Sequence, residues 1–416
     1  MYIDAYVTES VSPSHKWGIR EDHLLYFVIF LVLPFVDLLN GYLVLNHIIP
    51  EAGLASPSQF GRAFTLVLFA YMYRKGGLPS WIFILFSYLL LVELVAALAS
   101  ESVYALLFGM VSISKIVYLV LLATLISRYL QTKHDLQVLS RYLRANLWLI
   151  STVLFISLVF GLGKSTYGSG FGTKGYFSSG NGLGVYLGVM TTFLIAANRY
   201  GYLKTRVLTL LCFVSATMVV GSKAVLLISF VNLILLCFSM KNRLLIFIVA
   251  VAFLVININN IAYIAEIVYG VIWRRYQAAD RLLDFLGSGR TEYVSHAWNV
   301  FVHQDYWGFR IITGLGGLVS YQDPLKSFAY FTLEADIFDL LFIYGVVAVV
   351  VYLFAFMRAI YLLRGVFVMA AGLAMLFLHS MLAGHVIFDG MSEHAVAIYL
   401  GGAVFLRRNI STVARV

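Results

Sequence analysis

The sequence predicts an all-α polytopic membrane protein, and three observations carry that prediction. Apolar residues fill 61% of the 416 positions, charged residues only 12%, and the mean hydropathy is +0.90. A water-soluble domain of this size carries roughly 25% charged residues, so no polar surface large enough to face water is available and lipid must cover the chain. The apolar residues fall in about a dozen runs, near the roughly 20 residues a spanning helix needs. Lysine and arginine collect in the loops at one set of run ends.

Taken in order, the expected spans lie near 24–46, 58–73, 79–98, 104–127, 146–163, 182–197, 205–221, 223–239, 244–264, 333–357, 365–386 and 391–407. Basic residues stand at Arg74 and Lys75, from Arg128 to Arg144, from Arg199 to Arg206, at Lys241 and Arg243, at Arg358 and Arg364, and from Arg407 to Arg415. With about twelve spans and both termini on one side, all of these share that side, which the positive-inside rule makes cytoplasmic. The short opposite loops, near Glu101 and from Val386 to Gly390, lack Lys and Arg. The polar segment Met1 to Asp22 is not a cleavable signal, because the run after it is long enough to span. Cys212 and Cys237 lie in apolar runs and are expected to pack as small hydrophobes. The formal charge of +9 is mostly this orientation bias and implies no nucleic-acid partner. The chain 1–416 is read as a single membrane domain, with one large outer loop, 265–331, inside it.

Two outer segments remain. Lys164 to Asn181 is glycine- and serine-rich. The large loop opens with an amphipathic stretch: Val268, Ile272, Tyr276, Ala279, Leu283 and Leu286 recur at helical spacing, with Arg274, Arg275, Gln277, Asp280, Arg281 and Asp284 on the other face. Such a helix lies in the headgroup plane. A second short helix follows, with Val294, Trp298, Phe301 and Val302 on one face and Glu292, His296, Asn299 and His303 on another. Gly170 to Gly175 fits GxGxxG, but no strand precedes it, so it is not a dinucleotide site. No His, Cys or Asp cluster has convincing metal spacing. His385 and Asp389, four apart, suit either a ligand pair or, more simply, a hydrogen-bonded turn.

The charges sort into three groups. Asp37, Glu93 and Lys115 fall inside spans, where each is costly unless paired or hydrated; a mutual ion-pair network is expected, with both carboxylates sharing Lys115. On the outer face Lys174, Lys223, Arg290 and Arg310 stand beside glycines or at span ends. Glycine lets backbone N–H groups approach an anion and the cation supplies charge, so these residues are candidates for a phosphate or diphosphate site; cations snorkelling to headgroups are the alternative. Arg274 and Arg275 look more like headgroup contacts. Third, Glu334 and Asp336 open the tenth span and Asp339 lies a turn deeper, stacking with Asp336 at i, i+3. A carboxylate at a membrane mouth loses hydration and is suited to general-base work.

These residues, in this order, resemble the O-antigen polymerase and ligase superfamily (Wzy-type polymerases and WaaL-type ligases). The resemblance rests on Lys174 to Asn181, on Gly221-Ser222-Lys223, and on Ser288-Gly289-Arg290 with Trp298. It continues through Gly314-Leu315-Gly316 and Glu334-Ala335-Asp336 with Asp339 and Gly345. It covers roughly residues 160–350. It implies a glycosyltransferase of the C type in the bacterial cytoplasmic membrane, both termini cytoplasmic and the site facing the periplasm. The implied substrates are undecaprenyl-diphosphate-linked glycans, and no cofactor or metal is called for. Arg290, Lys223 and Lys174 would hold the diphosphate, with Arg310, Arg274 and Arg275 as further contacts. Glu334 or Asp336 would act as base, and Asn181, His296, Asp339 and His385 are secondary candidates. Ligases usually carry a His-Asn pair where this chain has Glu334 and Ala335, which favours a polymerase.

Three readings compete. A repeat-unit polymerase leads, joining units by inversion at the anomeric carbon, alongside a chain-length regulator and a flippase. A ligase moving finished glycan to a lipid A-core is second. A flippase or ion-coupled transporter using Asp37, Glu93 and Lys115 is third, although no duplicated halves are visible.

Overall fold

Eleven of the twelve expected runs form helices in the computed structural model. It describes residues 20–50, 56–74, 76–166, 172–239, 290–317, 333, 335–382, 384 and 386–413, with a few positions between 266 and 277. The ninth expected span, most of the amphipathic stretch with Arg274 and Arg275, and the candidates Glu334 and His385 lie outside the described residues.

The helices are α1 (Glu21–Leu45, with π-helical turns over Val28–Val32), α2 (Pro57–Tyr73), α3 (Ser80–Ala99), α4 (Val103–Tyr129) and α5 (Lys133–Phe160). A two-stranded hairpin follows, β1 (Lys164–Ser165) against β2 (Thr173–Gly175). Then come α6 (Gly180–Arg199), α7 (Val207–Val220) and α8 (Lys223–Ser239). Next come α9 (Arg290–Val302) and α10 (Trp307–Thr313), and the chain closes with α11 (Asp336–Leu363), α12 (Phe367–Leu382) and α13 (Ser392–Val413). Among the described residues, α1, α3, α4, α5, α6 and α11 are long and apolar enough to cross a membrane. The protein is an all-α membrane protein.

Local chemistry explains the helix ends. Thr132 and Asp135 form a capping box at the start of α5, each side chain bonding the other's backbone N–H, at 3.2 and 2.8 Å. Ser56, Ser102 and Ser179 accept from the backbone N–H three residues on, opening α2, α4 and α6. Gly161 and Gly221, both left-handed, close α5 and α7. The expected fifth span begins later than α5 because its first half is amphipathic. Leu136, Leu139, Leu143 and Leu147 are fully buried while Arg141 stays exposed.

Polar side chains tie the helices together inside the apolar bundle, where the driving force between helices is packing and hydrogen bonding rather than hydrophobic burial. Asn146 on α5 donates to the Phe30 carbonyl in the π-helical part of α1 (2.6 Å) and accepts from Tyr186 on α6 (2.8 Å). Asn232 on α8 donates to the Gly188 carbonyl (2.8 Å) and accepts from Thr192 (2.5 Å), both on α6. The densest helix pair is α4 with α13. There Gly401 lies directly against the Ala123 carbonyl, an approach that a Cβ would block.

The bundle has two distinct ends. At one, Arg20 pairs with Asp22 (3.0 Å) and Asp135 (3.3 Å), and Tyr129 donates to Glu21 (3.0 Å). The other gathers the hairpin, the start of α6 and the turn before α13.

Helix α11 is broken at Gly345, which takes φ 74° and ψ −180°. The carbonyls of Phe342 and Ile343 accept instead from the backbone N–H groups of Leu315 (2.9 Å) and Gly316 (3.0 Å), and Tyr88 donates to the Tyr344 carbonyl (2.5 Å). Helix α10 and the turn after it thus dock into the break. Irregular backbone at membrane depth persists only where other protein groups satisfy it, and these bonds supply that condition. Nearby, Ala297 and Phe301 of α9 are buried, with Phe301 5.2 Å from the Phe342 ring. Phe301 and half-buried Val294 thus sit on the expected inner face, while Trp298 is 40% exposed.

Candidate functional site

The three charges inside the expected spans do not form the network read from the sequence. Both carboxylate oxygens of Glu93 accept the backbone N–H of Gly317, at 3.1 Å each, and hold the docked turn in place. Asp37 accepts from Ser58 (2.7 Å), and no ion pair links Asp37, Glu93 and Lys115 among the described residues. The error has a physical origin: Glu93's partner is a backbone group, which side-chain charge does not reveal.

Asp37 and Lys115 do share a site, but with different partners. A cavity of about 370 Å³ lies between the second half of α1, the start of α2, the middle of α4, the start of α6 and the turn leading into α13. Asp37, Arg62, Lys115, Asp389 and Glu393 bring their charges to it, beside Tyr118 and His394. Its formal charge at neutral His is −1, from two cations and three carboxylates.

Each group is placed by its own element. Arg62 on α2 reaches Glu393 on α13 at 2.8 Å; the side chains are 11% and 1% exposed. The Arg62 guanidinium also lies 5.8 Å from the Tyr118 ring centre. Tyr118 on α4 meets His394 Nε2 at 2.7 Å. Asp389 Oδ2 accepts from the backbone N–H of Met391 (3.2 Å) and of Ser392 (3.0 Å), and from the Ser392 hydroxyl (2.7 Å). This is the hydrogen-bonded turn expected as the simpler reading of Asp389. Lys115 makes no hydrogen bond or ion pair among the described residues. Phe177, Ser178 and Ser179, from the segment between the hairpin and α6, complete the wall.

Asp37, Lys115 and Asp389 apart, the described residues singled out from the sequence lie elsewhere. Lys174 donates to the Ser178 carbonyl and so braces its own loop; with Lys164 it lines a separate small cleft against Asn40 and Gly41. Lys223 opens α8, and Asn181 lies in the first turn of α6, both half-buried. Arg290, 9% exposed, opens α9 with His296 two turns on, and Arg310 sits on α10. None of these is among the described residues that line the cavity.

Asp336 and Asp339 are fully buried and act as acceptors within the fold. Asp336 Oδ2 accepts from the Ser380 hydroxyl and from the backbone N–H groups of Val386 (2.9 Å) and Ile387 (3.2 Å), pinning the turn before α13 onto the start of α11. Asp339 accepts from the N–H groups of Leu333 (2.8 Å) and Ala335 (3.3 Å). Neither carboxylate lines the cavity. Replacing Asp336 with Leu orphans three donors. At about 1–3 kcal/mol for a buried unsatisfied group, the variant should lose about 3 kcal/mol or more, read as a lower unfolding temperature in detergent; Asp336→Asn, which keeps an acceptor oxygen, should lose less.

Sequence reasoning missed Arg62, Glu393 and His394. Their signal was present: one arginine inside the second apolar run and an acid-histidine pair at the head of the last. Fold and site together define a helical membrane protein with a charged cavity set among its helices. No protein-family model matches the chain, and no curated protein or solved structure matches it.

Proposed function

We propose that this protein polymerises lipid-diphosphate-linked oligosaccharide repeat units at the outer face of a bacterial cytoplasmic membrane, as a glycosyltransferase of the C type. One observation carries the reading: the mixed-charge cavity in the half of the bundle away from the Arg20–Asp135 cluster. A glycosyl transfer needs cations where the diphosphate departs and a carboxylate where the acceptor hydroxyl loses its proton. Lys115 and Arg62 offer the first and Asp37 and Asp389 the second. Arg290, Lys174, Lys223 and Arg310 remain expected diphosphate contacts by resemblance, with Arg274 and Arg275 nearer the lipid headgroups. The substrates are prenyl-diphosphate glycans, handed over by a flippase and measured out by a chain-length partner.

The purified protein, given a lipid-diphosphate repeat unit, should yield a ladder of polymer on carrier lipid, visible by gel or mass spectrometry. Product on a lipid A-core instead would make the protein a ligase. A second reading, an ion-coupled transporter, draws on the same five cavity-lining charges and on the broken α11, since transporters build midplane sites from interrupted helices. Substrate bound and moved with no new glycosidic bond would favour it.

A further inference from the structure

The carboxylates of this protein differ in what already holds them. Glu93, Asp336 and Asp339 are bonded to backbone N–H groups and are not among the residues lining the cavity. Of the three that line it, Asp389 accepts three hydrogen bonds on Oδ2 and shapes its own turn. Glu393 is tied to Arg62 through Oε1. Its second oxygen is buried, without a partner among the described residues, in a residue 1% exposed at the cavity wall. Asp336 Oδ1, away from the cavity, is buried and without a partner among the described residues in the same way, so it is the cavity's volume and its polar lining, not this oxygen, that suit a polar guest. Asp37 is the lightly committed acid. It accepts one hydrogen bond, from Ser58 to Oδ1, and Oδ2 has no partner among the described residues.

The cavity also states the guest's chemistry. Its volume of about 370 Å³ falls within the roughly 300–1,000 Å³ of small-ligand pockets. Carboxylates, serines and Asn40 match hydroxyl groups, and Phe177 and Phe388 offer flat apolar walls. That combination suits a sugar residue.

We propose that the cavity holds the acceptor sugar and that Asp37 is the catalytic base; the proposal rests on the glycosyl-transfer reading above. The acceptor hydroxyl oxygen attacks the anomeric carbon of the donor. The new carbon–oxygen bond forms as the bond to the diphosphate oxygen breaks. The electron pair leaves with the diphosphate, whose charge Lys115 meets, and the hydroxyl proton passes to Asp37 Oδ2. The charged and titratable groups facing Asp37 are Arg62 from α2, Lys115 and Tyr118 from α4, and Asp389, Glu393 and His394 from the turn and α13.

The test uses the full chain in liposomes with a lipid-diphosphate repeat unit. Asp37→Asn keeps an oxygen for Ser58, so the fold should survive, as a thermal scan would check. Its kcat should fall about 100-fold or more with KM unchanged, and the acidic limb of the kcat/KM profile should disappear. Asp37→Glu should recover part of the rate and the acidic limb. If wild type makes a ladder and Asp37→Asn matches it, or slows while keeping the acidic limb, the base assignment is overturned and the functional reading stands. No ladder from wild type overturns the reading itself, and the assignment with it. If Asp37→Asn does not fold, a folded but inactive Asp37→Glu overturns the assignment.

Discussion

Replacing Arg62 with Ala should destabilise the protein by about 3–5 kcal/mol, the cost of leaving a buried charge without its partner. Glu393 would be that charge: it is 1% exposed, and its only cation within 4 Å among the described residues is Arg62, at 2.8 Å. Arg62 also joins α2 to α13, elements 331 residues apart in sequence, and lies beside the Tyr118 ring. The loss should appear as a lower unfolding temperature in detergent. A second variant separates charge from packing. Arg62→Met with Glu393→Leu removes both charges and keeps the volume, and such swaps are often neutral or stabilising. The double variant should therefore be more stable than Arg62→Ala, yet lack polymer if the pair shapes the cavity for substrate. A single variant as stable as wild type would show that water or another group satisfies Glu393 and that the pair does not organise this end of the bundle.

The helices were legible in the sequence because their signal is local. Each run of apolar residues reports its own burial in lipid or protein, and eleven of the expected runs coincide with helices. Helix α5 shows where this fails. It starts at Lys133, not near 146, because its first half carries Arg141 and Arg144 and announces itself by the leucine stripe instead of a continuous run. The site was legible as residue types but not as partnerships. Asp37 and Lys115 stood out as intramembrane charges, yet the chain brings them to Arg62, Asp389 and Glu393, not to Glu93. Sequence gives no register between distant helices, so a charge's partner stays hidden when it is hundreds of residues away or is a backbone N–H. The same blindness applies to Asp336. An acid at the head of a span gives no sign of the turn whose N–H groups it accepts, because Val386 and Ile387 lie 50 and 51 residues further along the chain.

Gly345→Val should cost about 3 kcal/mol or more and should disable the docked α10 segment along with the helix. Two causes add. A φ of 74° with ψ near −180° is a region that side chains other than glycine enter only at about 1–3 kcal/mol. The new Cβ would also collide with the Ile312 carbonyl at the end of α10. Relieving that collision pushes α10 and its turn away, and with them go the bonds from Leu315 and Gly316 to the α11 carbonyls. Each backbone bond is worth about 1 kcal/mol net, and far from water the freed carbonyls find no ready replacement. Gly314→Val should behave alike, since its Cβ would meet the Ile343 carbonyl from the other side of the same contact. Gly365→Ala is the control, because a Cβ there meets nothing within 4 Å. Tyr88→Phe removes only the hydroxyl bridging Ile312 and Tyr344 and should cost about 1 kcal/mol. Unfolding temperatures in detergent would rank the four. Because Ile343 also lines the charged cavity, the two valine variants should lose activity beyond their loss of stability. If Gly345→Val tracks Gly365→Ala, the break in α11 is not what holds the turn after α10 against the bundle.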